Sequence, residues 1–114
     1  MKYTLLIFEK PEEMAKRDGP QAQAYWAGWQ AYSAAVQSAG VMAGGAGLQV
    51  PATATRVRLT PGKHEVQDGP YTDSKELLGG FYVIEAANLD EAIKWAARVP
   101  SPNGVVEIRP NLVM

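Results

Sequence analysis

A chain of 114 residues with 46% apolar content is long enough for one domain with a buried core, and it needs no metal or disulfide to staple it. Eleven basic and twelve acidic side chains, scattered along the sequence with an isoelectric point near 5.8, leave no cationic stripe for a nucleic-acid backbone or an anionic lipid surface. The absence of cysteine excludes disulfides and thiolate chemistry. The single histidine, His64, cannot by itself supply the imidazole or thiolate set that zinc or iron prefers, so no metal or other cofactor is expected.

Tyr3 to Phe8 is apolar on both alternating faces, with Tyr3, Leu5 and Ile7 on one and Leu6 and Phe8 on the other, the pattern of a strand covered from both sides. This opening is too short for a membrane span and lacks a cationic leader and cleavage site, so a cytoplasmic protein is expected. A polar loop runs through Arg17. Asp18-Gly19-Pro20 then offers a cap and a first-turn proline for a helix to about Ala39, with Tyr25, Trp29, Tyr32, Val36 and Ala39 at steps of four and three. Gly40 stands where a left-handed C-terminal residue is wanted.

Val41 to Val50 reads as extended, with Gly44, Gly45 and Gly47 pointing to a bulge or a close backbone approach, and Pro51 ends it. Thr55 to Leu59 and His64 to Gln67 flank the turn pair Pro61-Gly62, which predicts a hairpin with Arg58 opposite Glu65 and Leu59 opposite His64. Gly80 to Ala86 is a second strong strand. Asn88, with Glu91 three residues later, caps a short helix whose apolar face is Leu89, Ala92, Ile93 and Ala96, and Val105 to Pro110 closes the chain as a strand.

The order is β-α-β, an inserted β-hairpin, then β-α-β. It predicts an α+β fold of two ferredoxin-like split βαβ halves, an antiparallel sheet with both helices on one face, and one domain over residues 1–114. Phe81 and Val83 alternate with Tyr82 and Ile84 in the same two-sided way as the first strand. The sheet face that the helices leave open is therefore expected to be apolar, and a second copy is expected to cover it in a homodimer. Glu85, Glu107 and Arg109 fall at alternating strand positions and need partners or water.

"DGPY" at 68–71, followed by "TDSKELLGGFYVIEAANLDEAIKWAARVP", together with the "MKYTLLIFE" opening, "AGVMAGGAGL" and the closing "VVEIRP", resembles the DGPF-domain branch of the YCII-related family over nearly the whole chain. The resemblance implies a dimeric α+β barrel and relatives that include muconolactone-isomerase-like enzymes. It also implies a possible sigma-factor partner, since some DGPF-domain proteins accompany extracytoplasmic-function sigma factors. In the YCII proteins proper a histidine near the start of the first helix and an aspartate at the end of the second form the proposed acid/base pair. Here those regions read "GPQAQAYW" and "AARVPS", so that pair is not carried over.

Asp68-Gly69-Pro70 fits a turn in which Asp68 accepts a local hydrogen bond and Gly69 takes positive φ. Beyond that favoured role as a turn, it offers Asp68 as a general base or substrate anchor at a sheet edge. Asp73 and Glu76 suit a capping box. Lys75 or Arg109 would hold an anion, and Tyr71 or Tyr82 would donate a hydrogen bond. Gly79-Gly80 suits a bulge first and room for a ligand second. His64, at a hairpin tip, reads as exposed or partner-contacting, and the helix aromatics Tyr25, Trp26, Trp29 and Tyr32 read as core or interface before an aromatic cage. Two functions follow: a cofactor-free enzyme moving a proton on a carbonyl or lactone, with Asp68 as base, or a noncatalytic dimer that binds a metabolite or a regulatory protein.

Overall fold

The computed structural model describes residues 1–69 and 75–114. Strand β1 (Lys2–Glu9) obeys the alternation of its sequence: Tyr3, Leu5, Ile7 and Glu9 are buried, while Thr4, Leu6 and Phe8 between them are only half-buried. The segment after it is not the expected loop. It forms one helical turn, α1 (Pro11–Met14), and a 3-10 turn over Ala15–Asp18. Pro11 at the first helical position and Glu12 and Glu13 in the first turn suit a helix start.

Helix α2 (Ala22–Ser38) begins two residues after Pro20 and buries Tyr25, Tyr32 and Val36 along the anticipated stripe. It ends at Gly40, whose φ of 74° is the left-handed conformation expected there. Strand β2 (Met42–Gly47) is shorter than the sequence suggested. Gly45, at φ 144°, lies so close to its neighbour that a Cβ would sit 2.5 Å from the Phe81 carbonyl oxygen, so this position of the strand admits only glycine.

Strands β3 (Thr55–Thr60) and β4 (Lys63–Asp68) form a separate two-stranded sheet in the anticipated register, Arg58 opposite Glu65 and Leu59 opposite His64. The remaining elements are β5 (Leu77–Glu85), α3 (Leu89–Ala96) and β6 (Val105–Pro110). Asn88 caps α3 as expected, its side-chain oxygen accepting from the Glu91 N–H at 3.0 Å.

The main sheet has the order β2-β5-β1-β6, with each neighbouring pair antiparallel. Tyr3, Leu5 and Ile84 project from one face into a core completed by Tyr32 and Val36 of α2 and Ala92 of α3, so both longer helices cover the same side. The opposite face carries Leu6, Phe8, Phe81 and Val83, flanked by Leu78 and Val105. Glu107 and Arg109 also lie on this face, exposed and paired with each other at 3.1 Å, and Glu85 meets the N-terminal ammonium at 3.0 Å. The sheet is open, with β2 and β6 as edges. The chain therefore does not close into a barrel by itself, and the barrel expected from the sequence would require a second copy.

Candidate functional site

Glu9 continues the phase of Tyr3, Leu5 and Ile7, so the last residue of β1 delivers a carboxylate to the buried face of the sheet, where it is 1% exposed. A buried carboxylate is tolerated only when its oxygens are supplied with donors. Tyr25 of α2 donates its hydroxyl to Glu9 Oε1 at 2.7 Å. Arg17, after α1, reaches the same oxygen with Nη2 at 3.5 Å, and the Ser101 hydroxyl donates to Oε2 at 3.4 Å.

Arg17 ties three segments together. Its Nε donates to the Tyr25 hydroxyl at 3.0 Å, Nη1 to the Leu48 carbonyl at 2.6 Å and Nη2 to the Gly79 carbonyl at 3.2 Å. The guanidinium lies 5.8 Å from the Tyr25 ring centroid and 5.4 Å from that of Trp26, within range of cation–π attraction. The Tyr25 hydroxyl is held above its usual pKa, chiefly by burial; the Arg17 hydrogen bond opposes that shift and Glu9 adds to it.

Gly79 is the extra residue where the β1–β5 register shifts. A Cβ there would stand 2.8 Å from Glu9 Oε1 and 3.1 Å from Arg17 Nη2. The bulge expected at Gly79-Gly80 is thus also the space in which the carboxylate and guanidinium meet.

These groups form one end of a cavity of about 370 Å³ between α2 and the sheet, with Trp26, Trp29 and Tyr82 among its walls. Trp29 and Tyr82 lie parallel, with centroids 6.5 Å apart and planes at 12°, and the Tyr82 hydroxyl bonds Ser33. Three of the four helix aromatics, Tyr25, Trp26 and Trp29, line this space; Tyr32 belongs to the core and donates to the Trp95 carbonyl at 2.9 Å.

Of the candidate site residues Asp68, Tyr71, Lys75, Tyr82 and Arg109, the described one that lines this cavity is Tyr82, joined there by three of the helix aromatics and by Gly79 and Gly80. Asp68 is exposed at the end of β4, and Gly69 takes the anticipated positive φ, 96°, and donates its N–H to the Ala54 carbonyl at 2.6 Å. Lys75 is exposed. Arg109 belongs to the opposite face of the sheet. Tyr71, Pro70 and Asp73 lie outside the described residues. His64 is exposed on the hairpin. Glu9 and Arg17 were not singled out, although the alternation of β1 places Glu9 on the buried face. Among the described residues no group of His, Asp and Glu side chains is placed to hold a metal ion, and no helix is long and apolar enough to cross a membrane.

An α+β chain with an open antiparallel sheet, two longer helices on one face and an aromatic cavity between α2 and the sheet is the class of protein defined so far. The YCII-related domain model matches residues 1–114, so the chain belongs to the YCII-related family. A similar protein is an uncharacterised protein of Rhizobium meliloti (strain 1021), 43% identical over 65 residues; the match covers 54% of this chain and 52% of that protein, about half the relative's length.

Proposed function

We propose that the chain, a YCII-related protein of the DGPF-domain type, is a cofactor-free enzyme that moves a proton on a small organic molecule, in isomerase- or lyase-type chemistry, within the cavity between α2 and the sheet. The observation that carries this reading is the buried Glu9 carboxylate in the cavity wall, held against Arg17 and Tyr25. A buried carboxylate in a partly aromatic site is suited to abstract a proton next to a carbonyl, a role worth about 10²–10⁴ in rate. Glu9 takes the role of base here, and exposed Asp68 serves its turn.

The strand order fits two ferredoxin-like halves, with β5 between β1 and β2 and β1 between β5 and β6. The apolar open face supports a homodimer with sheets face to face, which would complete the α+β barrel.

The test is solvent-deuterium exchange into a panel of ring ketones, lactones and enols, followed by proton NMR. Wild type should exchange at least one compound, Glu9→Gln should slow it at least about a hundredfold, and Asp68→Asn should match wild type. Undiminished exchange in folded Glu9→Gln, or its loss in Asp68→Asn, would overturn the assignment.

A second reading, a noncatalytic binding module, draws on the same carboxylate. Both Glu9 oxygens already receive donors from Tyr25, Arg17 and Ser101, an arrangement that also serves as a structural tie. A compound that binds in the cavity without ever exchanging favours that reading.

A further inference from the structure

The cavity between α2 and the sheet has a second polar end, and the register of its walls fixes how far that end lies from Glu9. Tyr82 stands opposite Leu5 of β1 and so shares a face with Leu5, Ile7 and Glu9. Glu9 is four residues further along the strand, about 13 Å at the rise of a strand. On the other wall, Tyr25 bonds Glu9 and Ser33 bonds Tyr82. These two helix residues are eight positions apart, about 12 Å at the helical rise. Sheet and helix give the same separation independently.

The far end is a pair of hydroxyls. Ser33 and Tyr82 both line the cavity and are only half-buried, so a molecule inside it can touch them. Two hydroxyls hold two hydrogens, and their mutual bond uses one. Neither hydroxyl bonds any other group among the described residues, which leaves one donor hydrogen and the remaining lone pairs for a ligand. Between the two ends the wall is apolar, with Ile7, Trp29 and Ala46; Gln30 and Gln37 also line the space but are exposed. The volume of about 370 Å³ is more than twice the roughly 150 Å³ that encloses a single benzene ring.

We propose that this cavity takes an elongated organic molecule whose acidic carbon lies against Glu9 and whose far end carries an oxygen that hydrogen-bonds the Ser33–Tyr82 pair. Each end is met at about 3 Å, which leaves about 6–7 Å between those two atoms of the ligand. The inference rests on the reading of this cavity as a proton-moving site and adds the substrate's length and the group at its far end. Ser33 and Tyr82 are binding residues that select for both.

The test titrates the intact protein with three aryl ketones and follows the signals of the lining residues Trp26 and Trp29 in a proton–nitrogen correlation spectrum. In 4-hydroxyacetophenone the hydroxyl stands at the required distance from the acidic methyl. In 4-methylacetophenone the shape is kept without that oxygen, and in 2-hydroxyacetophenone the hydroxyl turns back onto its own carbonyl. The first is expected to bind roughly three- to tenfold more tightly than the other two, the value of one neutral hydrogen bond. The double variant Ser33→Ala with Tyr82→Phe should bind all three alike, and the wild-type ranking alone decides if that variant does not fold. Deuterium exchange at the ketone methyl, read separately on the same samples, tests the chemistry and not the far-end site. Equal affinities on wild type, or a preference for the 4-hydroxyl that survives in the folded double variant, would overturn the far-end site while the small-molecule cavity stands. If none of the three moves Trp26 or Trp29, both are refuted.

Discussion

Glu9→Gln separates the buried ion pair from the hydrogen-bond framework around it, because glutamine keeps the shape and one acceptor oxygen. The charges stand 3.5 Å apart, with Arg17 10% and Glu9 1% exposed. At an effective dielectric of about 20, their gross attraction is about 4–5 kcal/mol. Removing one partner of such a pair strands the other, at a typical cost of about 3–5 kcal/mol. The acceptor retained for Tyr25 returns about 1 kcal/mol, so the expected loss is about 2–4 kcal/mol. That is a large part of a domain's stability without abolishing the fold. In urea denaturation, with a slope of about 2 kcal/mol per molar, the midpoint should fall by roughly 1–2 M. Arg17→Met should cost a similar amount. The double variant should recover at least about 1 kcal/mol of the summed losses, because it leaves no buried charge alone. Single variants within about 0.5 kcal/mol of wild type, or a strictly additive double, would refute a mutually dependent buried pair.

Gly79→Ala should cost about 1–3 kcal/mol by thermal denaturation, because its Cβ meets Glu9 and Arg17 inside normal contact distance; an unchanged midpoint would mean that the pair relaxes freely. Burial pushes the Tyr32 hydroxyl up to about 12 from its usual 10, with Tyr82 adding to the shift and Arg98 opposing it. The raised folded-state value means that the stability it contributes is intact below about pH 10 and is lost as pH rises through about 12. Tyr32→Phe should flatten this alkaline decline and, at neutral pH, lose about 1 kcal/mol with the bond to Trp95; a decline as steep as wild type's would place the titration elsewhere. Leu6→Lys puts a charge in the middle of the open sheet face and should turn a dimer into single chains in sedimentation at micromolar concentration. Wild type sedimenting as single chains would remove the dimer.

The fold was legible where periodicity was strong. The two-sided alternation of Tyr3–Phe8, the four-and-three steps of α2 and the Pro61-Gly62 turn each have a local physical cause that nothing distant overrides. The first helical turn was missed because Pro11, Glu12 and Glu13 follow a strand directly and have no side-chain cap to announce them. The cavity was legible only in part. The helix aromatics and the Gly79-Gly80 bulge stood out, but Glu9 was hidden at the end of an apolar strand. Its partners come from eight, sixteen and ninety-two positions further on, separations that no local pattern encodes. The conspicuous Asp-Gly-Pro motif drew attention to Asp68 because a demanding turn and a reactive loop share the same residue types.

The central claim is that a small molecule occupies the space beneath α2, and blocking that space tests it most directly. Gly47 lines the cavity, and a Cβ built on it meets no atom within 4 Å, so Gly47→Leu should fill the volume and leave the fold intact. Titrated with a ring ketone or lactone and followed in a proton–nitrogen correlation spectrum, wild type is expected to show a saturable shift at the signals of the lining residues Trp26 and Trp29 that Gly47→Leu abolishes. An equal shift in the blocked variant would contradict the account.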